Sequence, residues 1–141
     1  MHRAFSILIF NSKGELLVQK RAKNKYHSRG LWANSCCGHQ KENERLVEAA
    51  HRRLIEEMGF DCALKEIFSF SYRVKFANGL IENEIDHVFV GKYDDRIESN
   101  KEEIEDYKWV SLDELKKDVK KNPKKYAYWF KLILRIFNFN K

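Results

Sequence analysis

The sequence predicts a single α+β domain in which a mixed β-sheet is covered by helices. Three observations carry this expectation. Hairpin-type pairs of strand-like runs come before and between helical segments, with no regular strand–helix alternation. Asn78-Gly79, between two such runs, is the strongest short hairpin signal in the chain. Val47, Ala50, Leu54 and Met58 recur at helical spacing and are followed by Gly59, a natural helix stop. This order of elements argues against a doubly wound nucleotide-binding fold.

Taken in order, Ala4 to Phe10 and Leu16 to Arg21 read as strands joined through Asn11-Ser12-Lys13-Gly14. Residues 22–43 read mostly as loop, with a short extended piece from Trp32 to Cys37. A helix is expected over Glu44 to Met58, with Asn43 as its N-cap. Strands near Phe68 to Phe76 and Leu80 to Tyr93 flank the Asn78-Gly79 turn, and Lys108 to Val110 reads as a short last strand. Ser111, with Glu114 three residues later, caps a helix over Leu112 to Lys121. Pro123 closes that unit, and Tyr126 to Phe139 forms a final amphipathic helix.

Composition narrows the class. The chain has 141 residues, 43% hydrophobic and 34% charged, a balance that supports a real core and not general disorder. No run reaches the roughly 18 apolar residues of a membrane span. Cys36, Cys37 and Cys62 make an odd count without a CxxC pair, which points to free thiols, a reducing compartment and a cytoplasmic protein. The formal charge of +6 is compatible with an anionic small substrate, but much of it lies in the lysine-rich run from Lys116 to Lys125, read as a solvated surface. That run lacks interleaved aromatic residues, so nucleic acid is not an expected partner.

The informative segment is Gly38 to Phe60. Gly38, Glu44, Arg52, Glu56, Glu57 and Gly59 stand in the frame G-x5-E-x7-R-x-L-x-E-E-x-G-Phe. On a helix, Arg53, Glu56 and Glu57 gather at i, i+3 and i+4, away from the Val47/Leu54 stripe. Grouped carboxylates supply hard oxygen ligands for a Mg²⁺ that bridges diphosphate oxygens. Outside this segment, Glu82 and Glu84 lie two apart on a strand and point to one face, and Cys37 and His39 do the same if their backbone is extended.

The frame resembles the Nudix box over its full 23 residues. One position departs from the hydrolase form: Arg53 stands where hydrolases place a metal-binding glutamate directly after the box arginine. At that point the chain is similar to the type 1 isopentenyl-diphosphate isomerase branch. So are Trp32-Ala33-Asn34-Ser35-Cys36-Cys37-Gly38-His39, Glu82-Asn83-Glu84 and Asp106-Tyr107-Lys108-Trp109. Trp129 matches a substrate-facing tryptophan of that family, and the likeness runs from His2 to about Trp129. The resemblance implies a Nudix fold, a mixed sheet sandwiched between helices over residues 1–141, without the family's N-terminal extension and the histidine and lysine it carries.

The same resemblance implies the chemistry: isopentenyl diphosphate becomes dimethylallyl diphosphate by protonation and deprotonation through a tertiary carbocation. Cys37 and Glu84 would flank the alkene, with Tyr72 assisting proton transfer and Trp129 facing the cation. Arg21, Lys25 and Arg53 would hold the diphosphate, with Mg²⁺ on Glu57 and the Cys37 carbonyl. His2, His39, Glu82 and Glu84 would hold a second divalent metal, Mn²⁺, Mg²⁺ or Zn²⁺. Four such ligands leave coordination positions for water or substrate. The expected partner is a small isoprenoid diphosphate, in a monomer or weak homodimer. Cys36, Cys62, His27, His51 and His87 match nothing in the pattern and read as structural. Two other classes share the box: a Nudix hydrolase of a nucleoside diphosphate derivative, and a non-catalytic Nudix-like binding protein.

Overall fold

Alternation along the first strand organises the molecule. In β1 (His2–Phe10), Phe5, Ile7 and Ile9 enter one core cluster and Leu8 enters another, so the strand is buried on both faces. A computed structural model describes residues 2–23, 28 and 30–137. Strands β2 (Leu16–Arg21), β3 (Trp32–Ala33), β4 (Cys36–His39), β5 (Lys65–Lys75), β6 (Ile81–Lys92) and β7 (Ile104–Val110) join β1 in one mixed sheet. The parallel pair is β1 with β6, in register from His2 opposite Glu84 to Phe10 opposite Lys92. β4 runs antiparallel to the first half of β1, β5 antiparallel to β6, and β2 antiparallel to β1, β3 and β7.

Helices cover both faces. Helix α1 (Leu46–Met58) seats Leu46, Ala49, Ala50, Leu54 and Met58 against Phe5, Ile7, Ile9 and Leu17. On the other face, Trp129, Phe130, Ile133 and Leu134 of α3 (Tyr128–Phe137) pack with Leu8, Leu16, Val18 and Val88. Leu115 of α2 (Leu112–Lys121) joins that second cluster. The expected α+β sandwich is therefore the observed fold, and the Asn78-Gly79 turn joins β5 to β6 with Asn78 Oδ1 accepting from Leu80 N at 3.1 Å.

Local differences from the sequence expectation have physical reasons. α1 starts at Leu46, not Glu44, and its N-cap is Arg45, whose main-chain N–H donates to the Glu48 carboxylate at 2.8 Å. Asn43 instead takes a left-handed turn, φ 65°. α3 starts at Tyr128 because Tyr126 bridges to Trp32 and Ala127 N donates to Trp32 O at 2.9 Å. The expected end of that helix at Phe139 lies outside the described residues. β7 is longer than its Lys108–Val110 core because six residues of β2 pair along it. Ser111 caps α2 as expected, accepting from Glu114 N at 3.2 Å. At the close of α1, Gly59 has φ 75°, and a Cβ there would lie 2.5 Å from the Glu98 carbonyl oxygen.

Candidate active site

Four adjacent strands, in the order β5-β6-β1-β4, form the floor of a cavity of about 520 Å³. Register decides what faces it. Tyr72 on β5 lies opposite Glu84 on β6, Ala4 on β1 lies opposite Asp86 on one side and His39 on the other, and Ser6 lies opposite Cys37. All of these line the cavity. Phe5 of the middle strand also lines the cavity, but Ala4 and Ser6, whose side chains are small, leave open space between Glu84 and Cys37. Their strands are two spacings apart, about 10 Å, enough for a small branched hydrocarbon between them.

The floor is polar, and its carboxylates Glu84 and Asp86 are buried. Glu84 Oε2 and Asp86 Oδ1 have no hydrogen-bond partner among the described residues. His39 Nε2 stands 2.8 Å from Glu84 Oε1, and this bond raises the imidazole pKa from its ordinary value. For Glu84, burial pushes the carboxyl up, but the His39 hydrogen bond and charge outweigh it and the net shift is downward. Asp86 is pushed up to about 7, chiefly by burial, although Ser6 Oγ donates to it at 2.8 Å. Burial, then the charges of Asp86 and Glu84, hold the Tyr72 phenol far above its ordinary range, so it keeps its proton.

Trp129 and Arg21 close one side. The Arg21 guanidinium lies 5.1 Å from the Trp129 ring centroid, with Nη1 3.8 Å from Cys37 Sγ. Asn34, fully buried, accepts from the Trp129 indole N–H at 2.9 Å and donates to the carbonyls of Cys36 and Ile7. Its place in the Trp32–His39 segment was the available signal for that role.

The opposite wall is the charged face of α1. Arg53 Nη1 donates to Glu56 at 2.5 Å, while Nη2 donates to Glu57 and, at 3.2 Å, to Glu103. Burial disfavours the charge on Arg53, but Glu57, Glu56 and Glu103 outweigh it and raise its pKa. Glu57 is only 4% exposed, so this part of the acidic face is buried against its neighbours. Gly38 brings β4 against this helix: a Cβ there would meet Phe5 at 3.1 Å and Arg53 Cγ at 3.3 Å. Arg52 does not compete for Glu57, since it is held by Glu44 at 2.8 Å and 3.0 Å.

The cavity therefore gathers Cys37, Glu84, Tyr72, Arg21, Arg53, Trp129, His39, Glu82 and Glu57. His2 lines a neighbouring cavity that shares His39 and Glu82 with the first. Lys25 lies outside the described residues, as does His27. Cys36 is fully buried with its thiol pKa raised well above the usual value, first by burial, while His51 pairs with Asp61 and His87 with Glu66. Asp86, Ser6 and Lys41 also line the cavity, and Glu103 pairs with Arg53 without being part of that lining; the sequence singled out none of the four. No three His, Cys, Asp or Glu side chains among the described residues stand together as a ready cation cluster. The donor chemistry nonetheless fits a divalent ion, because a buried carboxylate oxygen without a partner adjoins an imidazole.

The fold and this cavity, floored by a mixed sheet and walled by the box helix, define a NUDIX domain, whose family model matches residues 1–130. Among solved structures, the MutT protein of Methanosarcina mazei superposes with TM-score 0.80 at 23% identity, over 99% of this chain and 94% of that one. Among relatives, isopentenyl-diphosphate Delta-isomerase 2 of Aromatoleum aromaticum is 55% identical over 92% of this chain and 68% of its own length. The enzyme of the same name from Photorhabdus laumondii is 55% identical over 95% of this chain and 76% of its own length. The chain belongs to the isopentenyl-diphosphate Delta-isomerase family.

Proposed function

We propose that this chain isomerises isopentenyl diphosphate to dimethylallyl diphosphate, with the diphosphate left intact. The observation that carries the reading is the open floor between Cys37 and Glu84, with Arg21 and Arg53 lining the same cavity. A proton is delivered to the terminal alkene carbon, a tertiary carbocation forms, and a proton leaves the carbon on the other side, so the double bond moves by one position. Glu84 and Cys37 are the acid–base pair, one on each side of the Ala4/Ser6 gap. Tyr72, opposite Glu84 in register, keeps its phenolic proton and is the donor available to assist the transfer on that side of the cavity. Trp129 turns its ring to the cation, and its stacking on Arg21 at 5.1 Å supports a face suited to positive charge.

Arg21, Arg53 and Lys25 hold the diphosphate. His39, Glu84, Glu82 and His2 would hold one divalent metal, Mn²⁺, Mg²⁺ or Zn²⁺, and Glu57 with the Cys37 carbonyl would hold Mg²⁺ at the diphosphate. When bound, these ions neutralise phosphate charge and raise the acidity of the groups that contact them. Because Arg53 now lies against Glu57, both roles require that the guanidinium turn toward the phosphates as the ligand arrives. Arg53 in the box also separates this reading from hydrolysis, since it puts positive charge where a hydrolase needs a carboxylate.

The test is direct. Purified protein with isopentenyl diphosphate and Mg²⁺ should yield dimethylallyl diphosphate and no released phosphate. Rapid hydrolysis of nucleoside diphosphate derivatives, with no allylic product, would move the chain to the hydrolase class.

A further inference from the structure

Arg53 has two partners on its own helix, and these alone would draw its guanidinium along α1 toward Glu56 and Glu57. The third partner comes from elsewhere. Glu103 precedes β7, in a segment fastened at both ends. Asn100 N donates to Glu57 O at 2.8 Å and Glu98 N to Met58 O at 3.1 Å, which ties the segment to the end of α1. Ala22 N donates to Glu103 O at 3.2 Å, and Ile104 pairs with Arg21, which ties it to the end of β2. Glu103 is thus the residue at which the two cation-bearing elements meet. Its side chain holds Arg53, and its main chain holds the strand end that presents Arg21.

We propose that Glu103 is a positioning residue for the diphosphate clamp: it keeps hold of the Arg53 guanidinium, which now also bonds Glu56 and Glu57, so that on turning from Glu57 the group faces the same ligand as Arg21. The inference rests on the reading of Arg21 and Arg53 as the diphosphate holders. A positioning role has an electrostatic rival with the opposite sign. A carboxylate near an anion site also repels the anion, so removing it could tighten binding. The acceptor oxygen separates the two, because Glu103→Gln keeps an acceptor for Arg53 but loses the charge.

The experiment measures the affinity of the full chain for inorganic pyrophosphate with Mg²⁺ by calorimetry, alongside steady-state kinetics. Glu103→Ala should weaken pyrophosphate about tenfold and raise KM for isopentenyl diphosphate by a similar factor, with kcat within about threefold of the parent. Glu103→Gln should recover most of the affinity. In an Arg53→Ala background, Glu103→Ala should add almost nothing, because its effect runs through Arg53. The Glu103 side chain is 25% exposed, and a melting curve of each variant checks the fold after truncation. Unchanged or tighter pyrophosphate binding in Glu103→Ala overturns the proposal, as does a full, additive loss in the Arg53→Ala background. If Arg53→Ala weakens binding and Glu103→Ala does not, the positioning role alone fails. If Arg53→Ala itself binds pyrophosphate like the parent, the diphosphate reading of that arginine fails first.

Discussion

The two walls of the cavity face the same volume in opposite electrostatic states. On the α1 wall, Arg52 and Arg53 are each matched by carboxylates, from Glu44 and from Glu56, Glu57 and Glu103. On the sheet floor, Glu84 and Asp86 are buried, yet each keeps an oxygen with no partner among the described residues. Buried polar atoms without partners cost stability, of order 1–3 kcal/mol each. The α1 wall therefore stabilises the fold by itself, whereas the floor gives up stability to keep groups available for a ligand or ion. The proposed function would use both kinds of wall, one to grip a diphosphate and the other to transfer protons to a hydrocarbon.

The largest effect that would break this contrast comes from the floor. Cys37→Ala and Glu84→Gln should each lower kcat by about a thousandfold or more, with the fold intact by circular dichroism, since each removes one member of the proposed acid–base pair. Cys36→Ala should be mild, because that thiol is fully buried beside the helix core. Loss of turnover in Cys36→Ala, with Cys37→Ala active, would reverse the assignment of the two thiols.

Next in size is the wall. Glu57→Gln should weaken Mg²⁺-dependent pyrophosphate binding about tenfold. Metal bound at His39 and Glu84 should stay at the parent level, because those residues lie on the sheet and not on α1. Metal analysis of the purified variant would test this. Equal depletion of both ions would mean that one site serves both functions.

A smaller effect should separate packing from chemistry on the floor side. Asn34→Ala removes the acceptor for the Trp129 indole and the donor to the Cys36 and Ile7 carbonyls. Chemical denaturation should show a loss of about 1–3 kcal/mol, the cost of leaving buried polar groups unmatched. Turnover should fall severalfold as Trp129 loosens, and the pyrophosphate affinity set by the α1 wall should barely change. A large loss of pyrophosphate affinity would show that the two walls are coupled through Arg21, which stacks on Trp129.

What could be read from the sequence follows the same division. Strand and helix order, the hairpin at Asn78-Gly79, the Ser111 cap and the Gly59 stop are local signals, and each is present in the structure. Spacing of two on a strand or four on a helix put Cys37 with His39, Glu82 with Glu84 and Arg53 with Glu57 on shared faces. It was the family resemblance that named them, and Arg21, Tyr72 and Trp129, as site residues. Asp86 and Glu103 were invisible because their partners are remote: Ser6 lies 80 residues from Asp86, and Arg53 lies 50 from Glu103. The depth of Glu57 was missed for a similar reason, since helix periodicity alone cannot show that residues 98–104 cover that side of α1. The start of α1 was misjudged because Asn43 and Arg45 both precede the apolar run, and only the reach of Glu48 back to Arg45 N decides between them.

The smallest predicted effect isolates the self-matched wall from the chemistry. Glu44 accepts from Arg52 and from Lys41 N at 2.8 Å, and these bonds, Arg52 first, lower its carboxyl to about 2 from an ordinary 4.5. Between those values the folded chain binds fewer protons at this group than the unfolded chain does. The stability that Glu44 contributes is therefore fully present above about pH 4.5 and is lost as the pH falls toward 2. Other carboxylates titrate in the same range, so the quantity to follow is the difference in unfolding midpoint between the parent and Glu44→Gln. That difference should be constant from pH 8 to about 5 and should shrink steadily as acid is added below that. A difference that stays flat to pH 2.5, or grows, would mean that the Arg52 pair contributes no charge-dependent stability, and the contrast between a matched wall and an unmatched floor would lose its first half.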